Sequence, residues 1–190
     1  SLKKLISITL ADRRLFKYLL LNLVLALPLL LLQSPAYALQ LESVAIRNMN
    51  SYKKFSGLNQ NALVVKAKVT DIKYLDRFEF ATGELTNDED NSTFISAGPT
   101  WRFNKPIARS GLAFFEVGTS PTWISNENFR DESLGGNLFF TSNVQLGMHF
   151  GYRRETSLSV RIQHISNGGM SGKNPGTDMV GIEFSYMLGK

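Results

Sequence analysis

Read two residues at a time, the stretch GNLFFTSNVQLGMHFGY, residues 136–152, sorts into two faces. Phe140, Val144, Leu146, Met148, Phe150 and Tyr152 share one parity, while Thr141, Asn143, Gln145 and His149 share the other. Successive side chains of a strand point to opposite sides of a sheet, so this pattern predicts a long strand with one apolar and one polar face. Alternation dominates the chain from Leu39 onwards and predicts eight strands, near residues 40–50, 61–72, 74–85, 93–104, 111–124, 137–153, 156–167 and 178–188. Connections near 51–60, 86–92, 125–136 and 168–177 are longer and polar or Gly-rich. Those near Lys73, at NKPIARS and at RRET are shorter on the whole. Alternate short and long connections are the mark of an antiparallel up-and-down barrel that crosses a membrane, with short periplasmic turns and longer outside loops.

A soluble sandwich or a lipocalin-like carrier also alternates, with its apolar face inside; a membrane barrel inverts the arrangement, and parity alone does not say which face is which. Three features favour the membrane. The strands approach the ~9–11 residues that a tilted strand needs to cross a bilayer. Trp101, Trp123, Tyr152 and Tyr186 fall towards predicted strand ends, where interfacial aromatic girdles occur. The chain has no cysteine, so disulfides, thiolate metal sites and cysteine nucleophiles are excluded. Barrel closure supplies stability instead by pairing every backbone edge.

Of the formal charge of +5, +4 belongs to the first 38 residues. Of 21 bases and 16 acids, Lys3, Lys4, Arg13, Arg14, Lys17 and Asp12 lie there, leaving 16 bases against 15 acids. That balance speaks against nucleic acid as a partner. The same segment joins a basic stretch to the apolar run YLLLNLVLALPLLLL and then QSPAYA, with small residues at Ala36 and Ala38. This is the pattern of a secretory signal peptide, cleavage being expected after Ala38, with the barrel at 39–190. The competing reading is a permanent anchor, but a 15-residue run falls short of the ~20 residues of a spanning helix.

Near the C-terminus, RIQHISNGGMSGKNPGTD (161–178) carries one of the two histidines. His164 and Ser166 lie two apart, on the parity of Leu158, Val160 and Ile162, and Asp178 opens the apolar parity of the next strand, with Val180, Ile182 and Phe184. In a membrane barrel all three would face lipid near the outer leaflet, and ionisable residues there call for an explanation. A serine is a weak nucleophile until an imidazole takes its proton, and an acid beyond that imidazole fixes its tautomer. Asn167 and the amides of NGG could donate to an oxyanion. The plainer reading is ordinary turn chemistry, Gly and Asn taking positive φ and Pro setting the bend. His149, on the polar parity, reads as a structural hydrogen-bonding group facing the lumen. The acids of NDED read as a solvated loop tip; neither a phosphate-binding Gly loop nor a His-rich metal motif is found.

The segment SVRIQHISNGGMSGKNPGTDMVGIEFSY resembles the C-terminal signature of the outer-membrane lipid A 3-O-deacylase (PagL) family: His-x-Ser-Asn, a Gly turn, an Asn/Pro/Gly bend, then an acid opening the last strand. ISAGPTWRF, GLAFFEVGTSPTWIS and LGGNLFFTSNVQLGMHFGYR look like its preceding strands, so the likeness runs over roughly 93–188. The resemblance implies an eight-stranded barrel in the outer membrane of a Gram-negative bacterium. It implies a serine esterase that hydrolyses the ester-linked 3-hydroxyacyl chain at position 3 of lipid A, without metal or organic cofactor. By the same resemblance His164 is the base, Ser166 the nucleophile, Asp178 the orienting acid where the family motif has a glutamate, and Asn167 with Gly169 the oxyanion hole. Lys173 is a candidate contact for a lipid A phosphate, against the commoner reading of a solvated turn lysine. Assembly is left open, a homodimer included. The competing function is a non-enzymatic outer-membrane barrel, structural or adhesive, working through its polar loops.

Overall fold

The computed structural model describes residues 39–53, 57–70, 72–107, 112–129, 132–170 and 174–188. The expected leader and Lys173 lie outside the described residues.

Eight long strands close a barrel: β1 (Leu39–Lys53), β2 (Asn59–Val69), β3 (Arg77–Thr86), β4 (Asn91–Pro106), β5 (Leu112–Ile124), β8 (Leu138–Phe150), β9 (Thr156–Ser166) and β10 (Thr177–Met187). Each is antiparallel to its neighbours, and β1 closes on β10 through pairs such as Ser43 with Met187 and Asn50 with Val180. Closure leaves no unpaired edge, which a chain crossing a bilayer with strands requires. The strand ends agree with the sequence reading to within a few residues, and the largest departures are at the connections. Asn59 pairs with Thr86 and Gln60 with Leu85, continuing the β2–β3 ladder, so the loops expected at 51–60 and 86–92 shrink to 54–58 and 87–90. Conversely, the tight turn expected at Lys73 becomes a connection over 70–76. It is pinned where Trp101 Nε1 donates to the Tyr74 carbonyl (2.8 Å) and the Arg102 amide to Asp76 Oδ2 (2.9 Å). The segment expected as a polar loop at 125–136 folds into a small hairpin of β6 (Asn128–Phe129) and β7 (Glu132–Ser133).

Burial settles which parity faces which way. Leu146, Val160, Ile162 and Ile182 are half-exposed on the outside, while Gln145, Ser159, Arg161 and Glu183 are buried within. An apolar belt of this extent on a soluble monomer would be exceptional. The barrel is therefore inverted, apolar towards lipid and polar towards its lumen. The lumen is filled, in two tiers. In its middle, Arg47 donates to Glu183 Oε2 (2.8 Å from Nε) and to Glu79 Oε2 (2.8 Å from Nη2). Lys66 Nζ bridges Glu116 Oε1 (2.5 Å) and Glu183 Oε1 (3.0 Å), Arg102 Nε meets Glu116 Oε2 (2.7 Å), and Arg161 Nη2 meets Glu79 Oε1 (3.1 Å). Buried charges persist only when paired and hydrogen-bonded, and each of these is. Towards the rim that carries the 125–137 and 167–176 connections, the filling turns apolar, with Met49, Leu85, Phe94, Phe139, Ile165 and Met179. Phe129 and Leu134, from the hairpin loop, cap that tier. By loop length this is the outside rim.

Candidate active site

The H-x-S-N stretch lies where β9 reaches the outside rim. Along β9 the inward side chains are Arg161, Gln163 and Ile165, all buried. The outward ones are Val160, Ile162 and then His164, whose side chain is 52% exposed. Ser166, the last residue of the strand, shares that outward parity and is half-buried. His164 is the register partner of Asp178 on β10. Directly opposite residues on antiparallel strands hold their Cβ atoms about 4.5–5.5 Å apart. Even the shorter acid reaches across that gap: His164 Nδ1 and Asp178 Oδ1 are 2.7 Å apart. The departure from glutamate therefore costs no contact. Among the described residues no hydrogen bond joins Ser166 Oγ to His164 Nε2; bonds of this type often tighten only around a bound substrate.

The turn that follows is organised by Asn167, which is buried although it follows the strand end. Its Nδ2 donates to the Gly135 carbonyl (2.7 Å), its amide donates to Asn174 Oδ1 (3.1 Å), and its Oδ1 accepts from the Gly169 amide (2.8 Å). Asn167 thus ties the β9–β10 turn to the 125–137 loop, and Gly169 is engaged with Asn167 itself. Gly168 (φ 62°) and Gly169 (φ 77°) take the left-handed conformation that the sharp reversal needs.

Five contributors were not singled out from sequence. Gly176, at φ 59°, lies against the imidazole, and a Cβ there would sit 3.1 Å from His164 Cε1 and 3.6 Å from Nε2. Gly135 and Asn174 anchor Asn167 from two loops. Ser142 is the register partner of His164 on its other side, and Thr119 that of Ser142, so an outward polar row Thr119, Ser142, His164, Asp178 crosses β5, β8, β9 and β10. Outward parity in VGTSP and FTSNV would have been the signal, but only the register aligns them. His149 is buried within the lumen beside Phe114 (ring centroids 5.0 Å apart), away from this row, as its parity indicated.

A His–Asp pair with a serine on the same outward face suits acyl transfer to a hydroxyl. Comparison with known proteins decides the family. Residues 64–187 match the family model of lipid A 3-O-deacylase (PagL). The chain belongs to the PagL family. It is also 30% identical over 97 residues to lipid A deacylase PagL of Bordetella bronchiseptica, over 49% of this chain and 53% of that protein. The chain thus spans about half the length of the curated relative it matches. Its fold is similar to the crystal structure of the outer membrane enzyme PagL, with a TM-score of 0.62 at 18% identity, covering 76% of this chain and 98% of that one. The PagL match spans the whole candidate site, from Thr119 to Asp178.

Proposed function

We propose that this barrel is a lipid A 3-O-deacylase of the bacterial outer membrane, a serine esterase acting on the lipid that surrounds it. The observation that carries the reading is the 2.7 Å bond between His164 Nδ1 and Asp178 Oδ1 on the lipid-facing side, beside Ser166. A buried triad would serve a soluble substrate; one on the outer wall serves an ester already in the outer leaflet.

In this reading Ser166 Oγ attacks the carbonyl of the ester at position 3 while His164 Nε2 takes its proton. Asp178 holds the Nδ1 proton and stabilises the imidazolium. The tetrahedral oxyanion forms beside Asn167 Nδ2 and the Gly169 amide; the amide N–H gives up its bond to Asn167 Oδ1 and donates to the oxyanion instead. The imidazolium returns its proton to the departing sugar oxygen as the C–O bond breaks, leaving an acyl-serine. Water, deprotonated by the same imidazole, then releases the 3-hydroxy fatty acid and restores the serine.

The test is mass spectrometry of lipid A from cells expressing the protein or its Ser166→Ala variant. Loss of one 3-hydroxyacyl chain with the unaltered protein, and none with the variant, is expected. Deacylation that survives Ser166→Ala would sink the assignment. Intact lipid A in both would return the protein to the non-enzymatic reading.

A further inference from the structure

On the outer wall, one strand beyond the candidate site, an open groove of about 550 Å³ crosses β10, β1, β2 and β3. Its floor is main chain: Arg47, Ala62 and Gly83 are successive register partners whose inward parity leaves only backbone towards lipid. Gly83 permits the close approach, because a Cβ there would run into the Asn61 carbonyl. Two rows of outward side chains form the walls. Phe184, Ile46, Leu63 and Thr82 are aligned by register across the four strands. Nearer the outside rim, Asn48, Asn61 and Glu84 form a second aligned row, in which Asn48 Nδ2 donates to Asn61 Oδ1 (2.7 Å). Two adjacent strands, β1 from Ile46 to Asn48 and β2 from Leu63 to Asn61, thus show the same gradient, apolar below and polar above, as an amphiphile does in the outer leaflet, and β3 adds Glu84 to the polar row.

We infer that this groove holds an acyl chain of lipid A that the enzyme does not cleave, with the hydroxyl and amide groups at the head of that chain on Asn61 and Glu84. The inference rests on the deacylase reading. The polar rim chooses the chemistry: two carboxamides and a carboxylate suit hydroxyl and amide groups, and the carboxylate repels phosphate. Reach also fits. Asp178 and groove-lining Ile182 are four residues apart on β10, about 13 Å at strand rise, within the spread of chains on one multi-acylated lipid. The volume is in the range of ordinary ligand sites. Holding a second chain would orient the headgroup so that the correct ester meets Ser166, making the groove a specificity device.

Two variants test it, Leu63→Trp to fill the groove and Asn61→Leu to remove the rim. Both side chains point to lipid, so the barrel interior is untouched. Detergent-solubilised protein would be assayed on hexa-acylated lipid A and on a single-chain 3-hydroxyacyl p-nitrophenyl ester. The expected result is a KM raised about tenfold on lipid A, an unchanged kcat, and unchanged kinetics on the single-chain ester. Unchanged KM for both substrates in both variants overturns the groove assignment while leaving the deacylase reading intact. Equal losses on the two substrates also overturn it, because no second chain is then being sensed. Failure of the unaltered protein to cleave either ester would remove the deacylase reading, and the groove assignment with it.

Discussion

Two sets of polar residues occupy the same strands of this barrel and obey opposite rules. Arg161 and Glu183 point into the lumen, fully buried, each held by partners from distant strands. His164 and Asp178, on the same two strands, point outwards with one bond between them and half of the imidazole exposed. Inside, polarity fills space and every charge is neutralised. Outside, polarity interrupts an apolar surface and stays accessible. The contrast separates residues that hold the barrel from residues proposed to act on what surrounds it.

The sharpest way to break that contrast is Asp178→Asn. It keeps the shape of the pair but removes the charge that stabilises the imidazolium, so turnover is expected to fall about ten-thousandfold. Thermal unfolding in detergent should barely move; a large drop in stability would mean that the outer pair is structural after all. Glu183→Ala asks the reverse. It removes a carboxylate that Lys66 and Arg47 share, leaving Lys66 on Glu116 and Arg47 on Glu79 and the buried network one negative charge short, which costs about 3–5 kcal/mol. Chemical denaturation in detergent reads that loss, while turnover per folded molecule should be retained. Gly176→Ala is the smallest and most local. The left-handed backbone and the nearby imidazole both resist a methyl group, and displacement of the ring should lower kcat roughly 10–100-fold. Equal activity in Gly176→Ala would show that the imidazole tolerates movement.

The strands were legible because alternation is a local property. β8, β9 and β10 emerge within a few residues, since Val144 to Phe150, Leu158 to Ile162 and Val180 to Phe184 sort cleanly by parity. Asn59 and Gln60 read as loop because their polarity resembles a turn, whereas above an apolar belt polar residues extend a ladder as readily. His164, Ser166 and Asp178 were legible because one hairpin brings them together. The lumen network was not, because Arg47 and Glu183 are 136 residues apart and meet only through closure and shear. Phe129 and Leu134 were hidden in a polar loop, and their apolar destination depends on which rim that loop covers. Gly176 read as a bend; that it also abuts the imidazole depends on how the bend folds back.

The tie between Asn167 and Gly135 has a consequence for engineering. The hairpin from Thr156 to Met187 carries the proposed nucleophile, base and acid, and Asn167 docks it on a loop from the far side of β8. The reactive part is accordingly a two-piece cassette, one hairpin and one short loop. Grafted together onto an inert eight-stranded barrel of matching shear, the two pieces define the smallest transplant expected to carry activity; the hairpin alone would arrive without the anchor that sets its turn.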